Sequence, residues 1–228
     1  LGPSLEHPFG TDDYGRDIFA RVLFGSRVSL TIGFTATFFS AMIASAIGSL
    51  VAYYGGKVDD IVMRIMDMLM GIPTLLLAIA ISASLGPGVR NLIIALTISQ
   101  IPGFTRVVRS AILNIVDMEY VEAAKSYGCS SAYIIAKHIL PNAIGTVIVQ
   151  TTMSVATQIL NTAALSFLGL GQQPPAPELG SMLSDAKSFM RVSIYGVLFP
   201  GLTIATIALS LNLVGDGLRD ALDPKLKN

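Results

Sequence analysis

The chain has 228 residues, of which 52% are hydrophobic and only 13% are charged, whereas soluble domains carry about 25% charged residues. This composition excludes an ordinary soluble domain, because the chain has too few polar groups to cover a surface in water, and it indicates a lipid environment. The 15 basic and 15 acidic residues cancel, which argues against the clustered basic excess of a nucleic-acid-binding protein.

Charge-free runs predict five membrane-spanning helices, since a helix needs about 20 apolar residues to cross the hydrocarbon core. In chain order these runs are residues 28–54, 68–89, 91–105, 139–177 and 192–215. The third run is short and can continue as a helix past Arg106 and Arg109 toward water. Small residues are frequent in the runs, which predicts close packing of each helix against protein.

The basic residues predict the orientation, because Lys and Arg are enriched on the cytoplasmic side. A cytoplasmic loop at 106–138 places nine basic residues inside and leaves six outside. We therefore expect an external segment at 1–27 and a transmembrane domain at 28–228. The inside set is Lys57, Arg64, Arg106, Arg109, Lys125, Lys137, Arg219, Lys225 and Lys227, and the outside set is Arg16, Arg21, Arg27, Arg90, Lys187 and Arg191.

The sequence predicts neither an enzyme nor a cofactor or metal site. Gly55-Gly56-Lys57 is followed by Val58, so it does not match the phosphate-binding loop, in which Ser or Thr follows the lysine. His7 and His138 lie far apart along the chain and outside the predicted spans. No His, Cys and carboxylate residues cluster with the spacing of metal ligands.

The loop between the third and fourth spans predicts a short helix with one distinctive face. Asp117 is expected to cap this helix, since a side-chain oxygen there can accept from the first free amides. Tyr120, Ala123, Ala124 and Tyr127 follow the spacing i, i+3, i+4 and i+7, which places them on one face. Two alanines between two tyrosines predict a shallow notch with aromatic walls. An amphipathic helix lying at the membrane interface fits the same pattern.

The residues after this helix predict a sharp turn and a second helix that enters the membrane. Gly128 can adopt the left-handed conformation that ends a helix. Ser130 or Ser131 can cap the next helix, and Pro141 lies at the entrance to the fourth span. A force on the first helix would then be transmitted into the bilayer.

The spacing of Glu122-Ala123-Ala124, Gly128 and Leu140-Pro141 resembles the EAA loop of ABC importer permeases. His138 stands where most of the family has an aliphatic residue, and a polar residue at this position resembles the peptide-transport branch. Three further segments resemble the second permease of dipeptide, oligopeptide and nickel importers, so the resemblance covers essentially the whole chain. They are residues 10–17 (GTDDYGRD), 165–175 (LSFLGLGQQPP) and 212–224 (NLVGDGLRDALDP). Leu179-Gly180 departs from the Trp-Gly common in the family, which we expect to be a detail of a loop or of the lipid-facing surface.

The resemblance implies an all-α polytopic transmembrane helical bundle of the type I ABC importer permease fold. Five spans are present, and the usual first span is expected to precede Leu1. It further implies that residues 119–141 form a coupling helix held in a cleft of a separate ATPase. The implied partners are a second permease subunit, two ATPase subunits and an external substrate-binding protein, with lipid around the spans. The expected cargo is a di- or oligopeptide, and nickel is the alternative.

Polar residues within the spans are the candidates for the translocation path, since such residues usually face a cavity or a partner in lipid. Residues 150, 154, 157, 158 and 161 follow helical spacing on the fourth span, and we call them the polar stripe: Gln150, Ser154, Thr157, Gln158 and Asn161. Hydrogen bonding between helices explains the stripe equally well. Asp67 is a further candidate, although an ion pair with Arg64, three residues back on the same helix, is the favoured interpretation.

Two rival classes remain from the residues alone. An ATP-independent channel or secondary transporter would carry charged relays within its spans, and a structural scaffold would need no coupling loop. Prolines in or beside the spans, which predict kinks, are compatible with every class. They are Pro73, Pro102 and Pro200.

Overall fold

The computed structural model describes residues 2–222 and is all-α within that range, as predicted. Asp223, Pro224, Lys225 and Lys227, which the sequence analysis used for a motif and for the charge count, lie outside the described residues, as does Leu1. A π-helical turn, Ile135–Ile139, joins α6 to α7, and a 3₁₀ turn, Lys187–Phe189, follows α8. The α-helices are α1 Ile18–Tyr54, α2 Gly56–Met70, α3 Thr74–Leu85, α4 Val89–Leu113, α5 Glu119–Ser126, α6 Ser131–Ile134, α7 Leu140–Phe167, α8 Leu179–Ala186 and α9 Tyr195–Leu222.

Four helical segments among the described residues are long and apolar enough to cross a membrane: α1, α4, α6 with α7, and α9. The remaining predicted span, 68–89, is wrong as a single helix. It is divided between α2 and α3, which meet at an angle of 86° and count as a fifth span only when taken together. The break falls at Gly71, Ile72 and Pro73, because proline cannot continue a helix without losing a backbone hydrogen bond.

Helix α1 begins ten residues before the charge-free run that predicted it. Asp17 starts the helix by accepting a hydrogen bond of 3.0 Å from the Ala20 amide. The 37 residues of α1 give a length of about 55 Å, well beyond the roughly 30 Å hydrocarbon core. The turns that carry Arg21 and Arg27 can therefore extend past the apolar layer.

The bundle has two ends, which we name by the short helices they carry. At the α5 end lie the C-termini of α1 and α4, the N-terminus of α7 and the whole of α5. At the α8 end, α8 packs on α7, α9 and the start of α1. A separate group of buried apolar residues fills each end, and a third, around Ile32, Leu92 and Leu96, lies between α1, α3, α4 and α7.

Small residues bring α1 close to α4, as the sequence predicts. A Cβ added to Gly48 would lie 3.1 Å from the Thr105 carbonyl oxygen, so only glycine permits this approach without a shift. About two turns before Gly48 on α1, the buried Ser40 hydroxyl donates to the Ala36 carbonyl at 2.8 Å and to the Thr97 carbonyl of α4 at 3.0 Å. Polar contacts between spans therefore supplement close packing here.

Leu179 and Gly180 belong to the core, so the expectation of a loop or lipid-surface detail is wrong. The Leu179 side chain is fully buried in the α8-end core. A Cβ on Gly180 would lie 2.3 Å from the backbone oxygen of Ala163 in α7. Helix α8 is therefore seated directly on the α7 backbone.

Replacing Gly180 with alanine should destabilise the protein by about 1–3 kcal/mol, because α8 must move away from the α7 backbone. A lower thermal midpoint of the detergent-solubilised protein would report this change. Gly217→Ala is the matched control, since no atom from other parts of residues 2–222 lies within 4 Å of the added Cβ at that position. Equal midpoints for the two variants would contradict the close contact.

Candidate functional site

Helix α5 is held on the bundle by two small apolar residues on its inner face. Val121 and Ala124 are buried in a cluster that also contains Ile112 of α4, Ile134 of α6 and Ile139 of the π-helical turn. We call this cluster the loop core. Above it, the Lys125 ammonium lies 5.2 Å from the centre of the Tyr53 ring at the end of α1. Helix α5 is thus joined to three of the membrane helices and does not lie free at an interface.

The outer face of α5, formed by Tyr120 and Ala123 together with Tyr127 directly after the last helical residue, is exposed. Tyr127 is 88% exposed, an extreme value for a large aromatic side chain. The sequence predicted Ala124 on this face, which is wrong, because Ala124 points inward and is only 8% exposed. The notch between the tyrosines therefore contains one alanine. Glu122 is exposed beside it and leaves its carboxylate available in the first turn.

The start of α5 also differs from the prediction. Met118 occupies the capping position and makes no side-chain hydrogen bond to the helix, so Asp117 does not serve as the cap. The Met118 carbonyl accepts from the amides of Val121 and Glu122, at 2.8 and 3.2 Å. Glu119 and Glu122 lie in the first turn, where negative charge is favoured by the helix dipole.

The turn after α5 has the geometry that the sequence predicts. Gly128 has φ of 76°, which only glycine adopts without strain. Ser130 caps α6 by accepting a hydrogen bond of 3.4 Å from the Tyr133 amide. The π-helical turn then leads into α7, whose first residues are Leu140 and Pro141.

His138 lies within that π-helical turn and contacts tyrosines on both sides. Its ring centre is 6.4 Å from that of Tyr120 and 5.7 Å from that of Tyr133. Its carbonyl accepts a hydrogen bond of 2.6 Å from the Asn142 side chain. The residue singled out in the sequence thus connects α5, α6 and the start of α7.

A cavity of about 430 Å³ lies farther along the bundle, between the α2–α3 break, α4 and α7. All five residues of the polar stripe line it. Pro102 and Gly103 of α4 and Leu69, Met70, Ile72 and Pro73 at the break form other parts of the wall. None of the residues within 2–222 that line the cavity is charged.

Gln158 organises the polar side of this cavity. It is 1% exposed, and its amide nitrogen donates to the Leu96 carbonyl at 3.1 Å and to the Gln100 side chain at 3.0 Å. Its amide oxygen accepts from Asn161 at 3.0 Å. Gln158 therefore bonds α7 to α4, which is the hydrogen bonding between helices that the sequence left open as an explanation of the stripe. Gln150, Thr157 and Asn161 are accessible and face the cavity.

Asp67 does not line this cavity, and its predicted ion pair with Arg64 is wrong. Its carboxylate instead binds Arg106 of α4. Nearby, Arg109 of α4 binds Asp59 of α2 through two guanidinium nitrogens. The two pairs lie in a charged cleft nearer the α5 end. Neither pair was predicted from the sequence, because 39 and 50 residues separate the partners.

A second missed element lies at the α8 end. The Glu178 carboxylate is fully buried and caps α8, accepting from the Ser181 amide at 2.9 Å and from the Ser29 hydroxyl of α1 at 2.7 Å. Glutamate is not among the residues preferred at a helix N-cap, so no capping signal marks this position in the sequence. On the outer side of α8, burial raises the pKa of Asp185, although Arg21 and Arg16 oppose the shift.

The segment at residues 10–17 also has a structural role at this end. Asp12 accepts hydrogen bonds from the amides of Tyr14 and Arg16 at 3.0 and 2.8 Å and pairs with the Arg16 side chain at 2.7 Å. The Gly10 carbonyl accepts from the Ile18 amide at 3.1 Å. The motif thus builds a closed turn that starts α1.

Comparison with known proteins gives consistent results. Residues 22–228 match the family model described as the binding-protein-dependent transport system inner membrane component. The chain is 48% identical over 227 residues to the dipeptide transport system permease protein DppC of Alkalihalophilus pseudofirmus, covering 100% of this chain and 75% of that protein. It is also 48% identical over 226 residues to the glutathione transport system permease protein GsiD of Escherichia coli, with 99% and 75% covered.

Two solved structures share the fold. A chain of the MetNI methionine ABC transporter, in an inward-facing conformation, aligns with a TM-score of 0.73 at 19% identity, covering 90% of this chain and 97% of that one. A chain of an amino acid ABC transporter solved with histidines aligns with a TM-score of 0.65 at 19% identity, covering 91% and 95%. At this identity the two structures support the fold alone.

Proposed function

The chain belongs to the family of binding-protein-dependent inner membrane components, the permease subunits of ABC importers, and from this premise we propose that it carries small peptides along the polar stripe of α7 and is driven through α5. Membership also means that the chain lies in the inner membrane and is a transport subunit without its own enzymatic activity. It excludes the channel, secondary-transporter and scaffold classes that the residues alone left open.

The observation that best supports this path is the cavity beside α7. A helical stripe recognised from residue spacing lines it together with the bent pair α2–α3, so polar groups and a break in a span meet at one place. Irregular backbone at membrane depth is tolerated where it lines a cavity or is buried in protein. Asp67 is not part of this proposal, because it is bound to Arg106 in the neighbouring cleft.

The cargo proposed is a di- or oligopeptide. The cavity wall offers amide and hydroxyl groups, which can both donate to and accept from a peptide backbone. Relatives at 48% identity are named for the transport of dipeptides and of glutathione, which is itself a peptide. Nickel, the alternative cargo from the sequence, is not favoured.

The importer family implies an ATPase and a substrate-binding protein as partners of this chain. We further propose a second permease subunit beside it and two ATPase subunits, with the α5 end in the cytoplasm and residues 1–27 outside. The outer face of α5 then inserts into the ATPase, and Glu122, Gly128, Leu140 and Pro141 shape the connection to α7. Movement of α5 passes through the loop core to α4 and α7, which carry two walls of the cavity.

Reconstitution into proteoliposomes with the partner subunits tests the role of α5. Glu122→Lys reverses a charge next to the outer face of α5, and we expect ATP-driven peptide uptake to fall by roughly tenfold or more. Glu6→Lys is the matched control, since it makes the same change at an exposed glutamate near the α8 end, at the opposite end of the bundle from α5. Uptake unaffected by Glu122→Lys would contradict the proposed coupling.

A further inference from the structure

Helix α2 is attached to the bundle by few apolar contacts. Met66 is its single buried residue, although the helix has 15 residues. Ile61, Ile65 and Met68 are each between 46% and 64% exposed. Apolar burial therefore contributes little to the position of α2, and its polar contacts with α4 matter correspondingly more.

Two ion pairs supply those polar contacts. Arg109 binds Asp59 with a two-pronged geometry in which both carboxylate oxygens accept, and the two side chains are only 26% and 18% exposed. Such charge-assisted, bidentate pairs are the strongest hydrogen bonds of side chains. Arg106 binds Asp67 two turns farther along α2, where the side chains are 49% and 56% exposed and water weakens the interaction.

The far end of α2 forms part of the cavity wall. Leu69 and Met70 end the helix, and Ile72 and Pro73 follow in the break; all four line the cavity. The position of α2 relative to α4 therefore sets the shape of this wall. Helix α2 thus carries both the carboxylates of the two ion pairs and, at its C-terminal end, residues of the cavity wall.

The far end of α4 is joined to the loop. Ile112 of α4 and the following Ile115 and Val116 are buried in the loop core together with Val121 of α5. Between this contact and the cavity residues Pro102 and Gly103 lie Arg106 and Arg109. The two arginines thus occupy the stretch of α4 that connects α5 with the cavity.

We infer that Arg106 and Arg109 are positioning residues for transport, which tie α2 to α4 so that movement of α5 reaches the α2–α3 wall of the cavity. This inference rests on the proposed function. The pair Asp59–Arg109 holds α2 at the level of its first turns, and Asp67–Arg106 holds it next to the break. Loss of the ties uncouples the wall from α5 while leaving the outer face of α5 unchanged.

Charge exchange in the full reconstituted complex tests this inference. Arg109→Asp and Asp59→Arg should each lower uptake per ATP hydrolysed by about tenfold, because like charges then face each other in a partly buried site. The double variant Asp59→Arg/Arg109→Asp should restore uptake to within about threefold of the unmodified protein. Copurification of the ATPase should stay unchanged throughout, a result that general misfolding would not give.

Two further variants keep the test decisive. Arg106→Gln removes the exposed pair without reversing a charge, so it should assemble and lower uptake by about threefold. Arg64→Gln is the matched control, because Arg64 lines the same cleft but makes no ion pair among residues 2–222, and its uptake should be unchanged. The inference is overturned if the single variants transport normally, or if the assembled double variant remains as impaired as they are. If Arg109→Asp keeps full uptake while Glu122→Lys is impaired, this inference alone is overturned. If Glu122→Lys keeps full uptake, the result counts against the proposed function itself.

Discussion

Ala123→Arg should abolish ATP-driven uptake by preventing the ATPase from binding to α5. Ala123 lies exposed between Tyr120 and Tyr127, and an arginine there fills the notch with a long charged side chain. Residues at the centre of an interface dominate its affinity, so we expect uptake to fall by at least about a hundredfold. The fraction of ATPase that copurifies with the permease should fall in parallel.

The control for this change is Ala176→Arg, which places the same side chain at an exposed alanine of the loop before α8, away from α5, and should leave uptake and ATPase recovery unchanged. Because both alanines are exposed, neither substitution disturbs the loop core, and similar thermal midpoints are expected. Normal ATPase recovery with Ala123→Arg would mean that the outer face of α5 is not the docking surface.

Gln158→Leu combined with Asn161→Leu should lower peptide uptake by roughly tenfold while leaving ATPase binding intact. Gln158 joins α7 to Leu96 and Gln100 of α4, and its loss leaves the Gln100 amide without this partner at the cavity wall. Loss of one such hydrogen bond between helices costs about 0.5–1.5 kcal/mol. Two apolar side chains also remove hydrogen-bonding groups from the proposed path.

Thr152→Val serves as the comparison on α7, since Thr152 lies off the polar stripe and its hydroxyl bonds only within the helix, to the Ile148 carbonyl at 3.0 Å. Uptake, ATPase copurification and thermal midpoint should all be measured for both variants. If the Gln158 and Asn161 double variant kept full uptake, the polar stripe would serve only to pack α7 against its neighbours and would not line the translocation path.

Features carried by a single helix could be predicted from sequence. The polar stripe needed only a period of 3.6 residues, and all five residues meet at one cavity. The turn at Gly128 and the cap at Ser130 depend on local backbone chemistry, and both are present. By contrast, periodicity identified a face of α5 but not its neighbour, so it could not show that Ala124 faces the loop core.

Features that depend on two distant segments were not accessible from periodicity or charge counts. The run 68–89 was taken as one span because it contains no charge, yet it starts inside α2, which is amphipathic and ends at a sharp bend. The partner of Asp67 was sought one turn away on its own helix, whereas it lies on α4. Only the packing of α2 against α4 decides between these partners.

The π-helical turn before α7 has a mechanical consequence. A π turn interrupts regular helical bonding, whereas α7 beyond it continues without a break for 28 residues. Asn161 lies 21 residues beyond Leu140, or about 32 Å at 1.5 Å per residue. A tilt of about 10° around the turn would move Asn161 sideways by about 5.6 Å, roughly the pitch of one helical turn. Helix α7 can thus act as a lever that magnifies a small rotation beside α5 into a displacement comparable to the width of a side chain in the cavity.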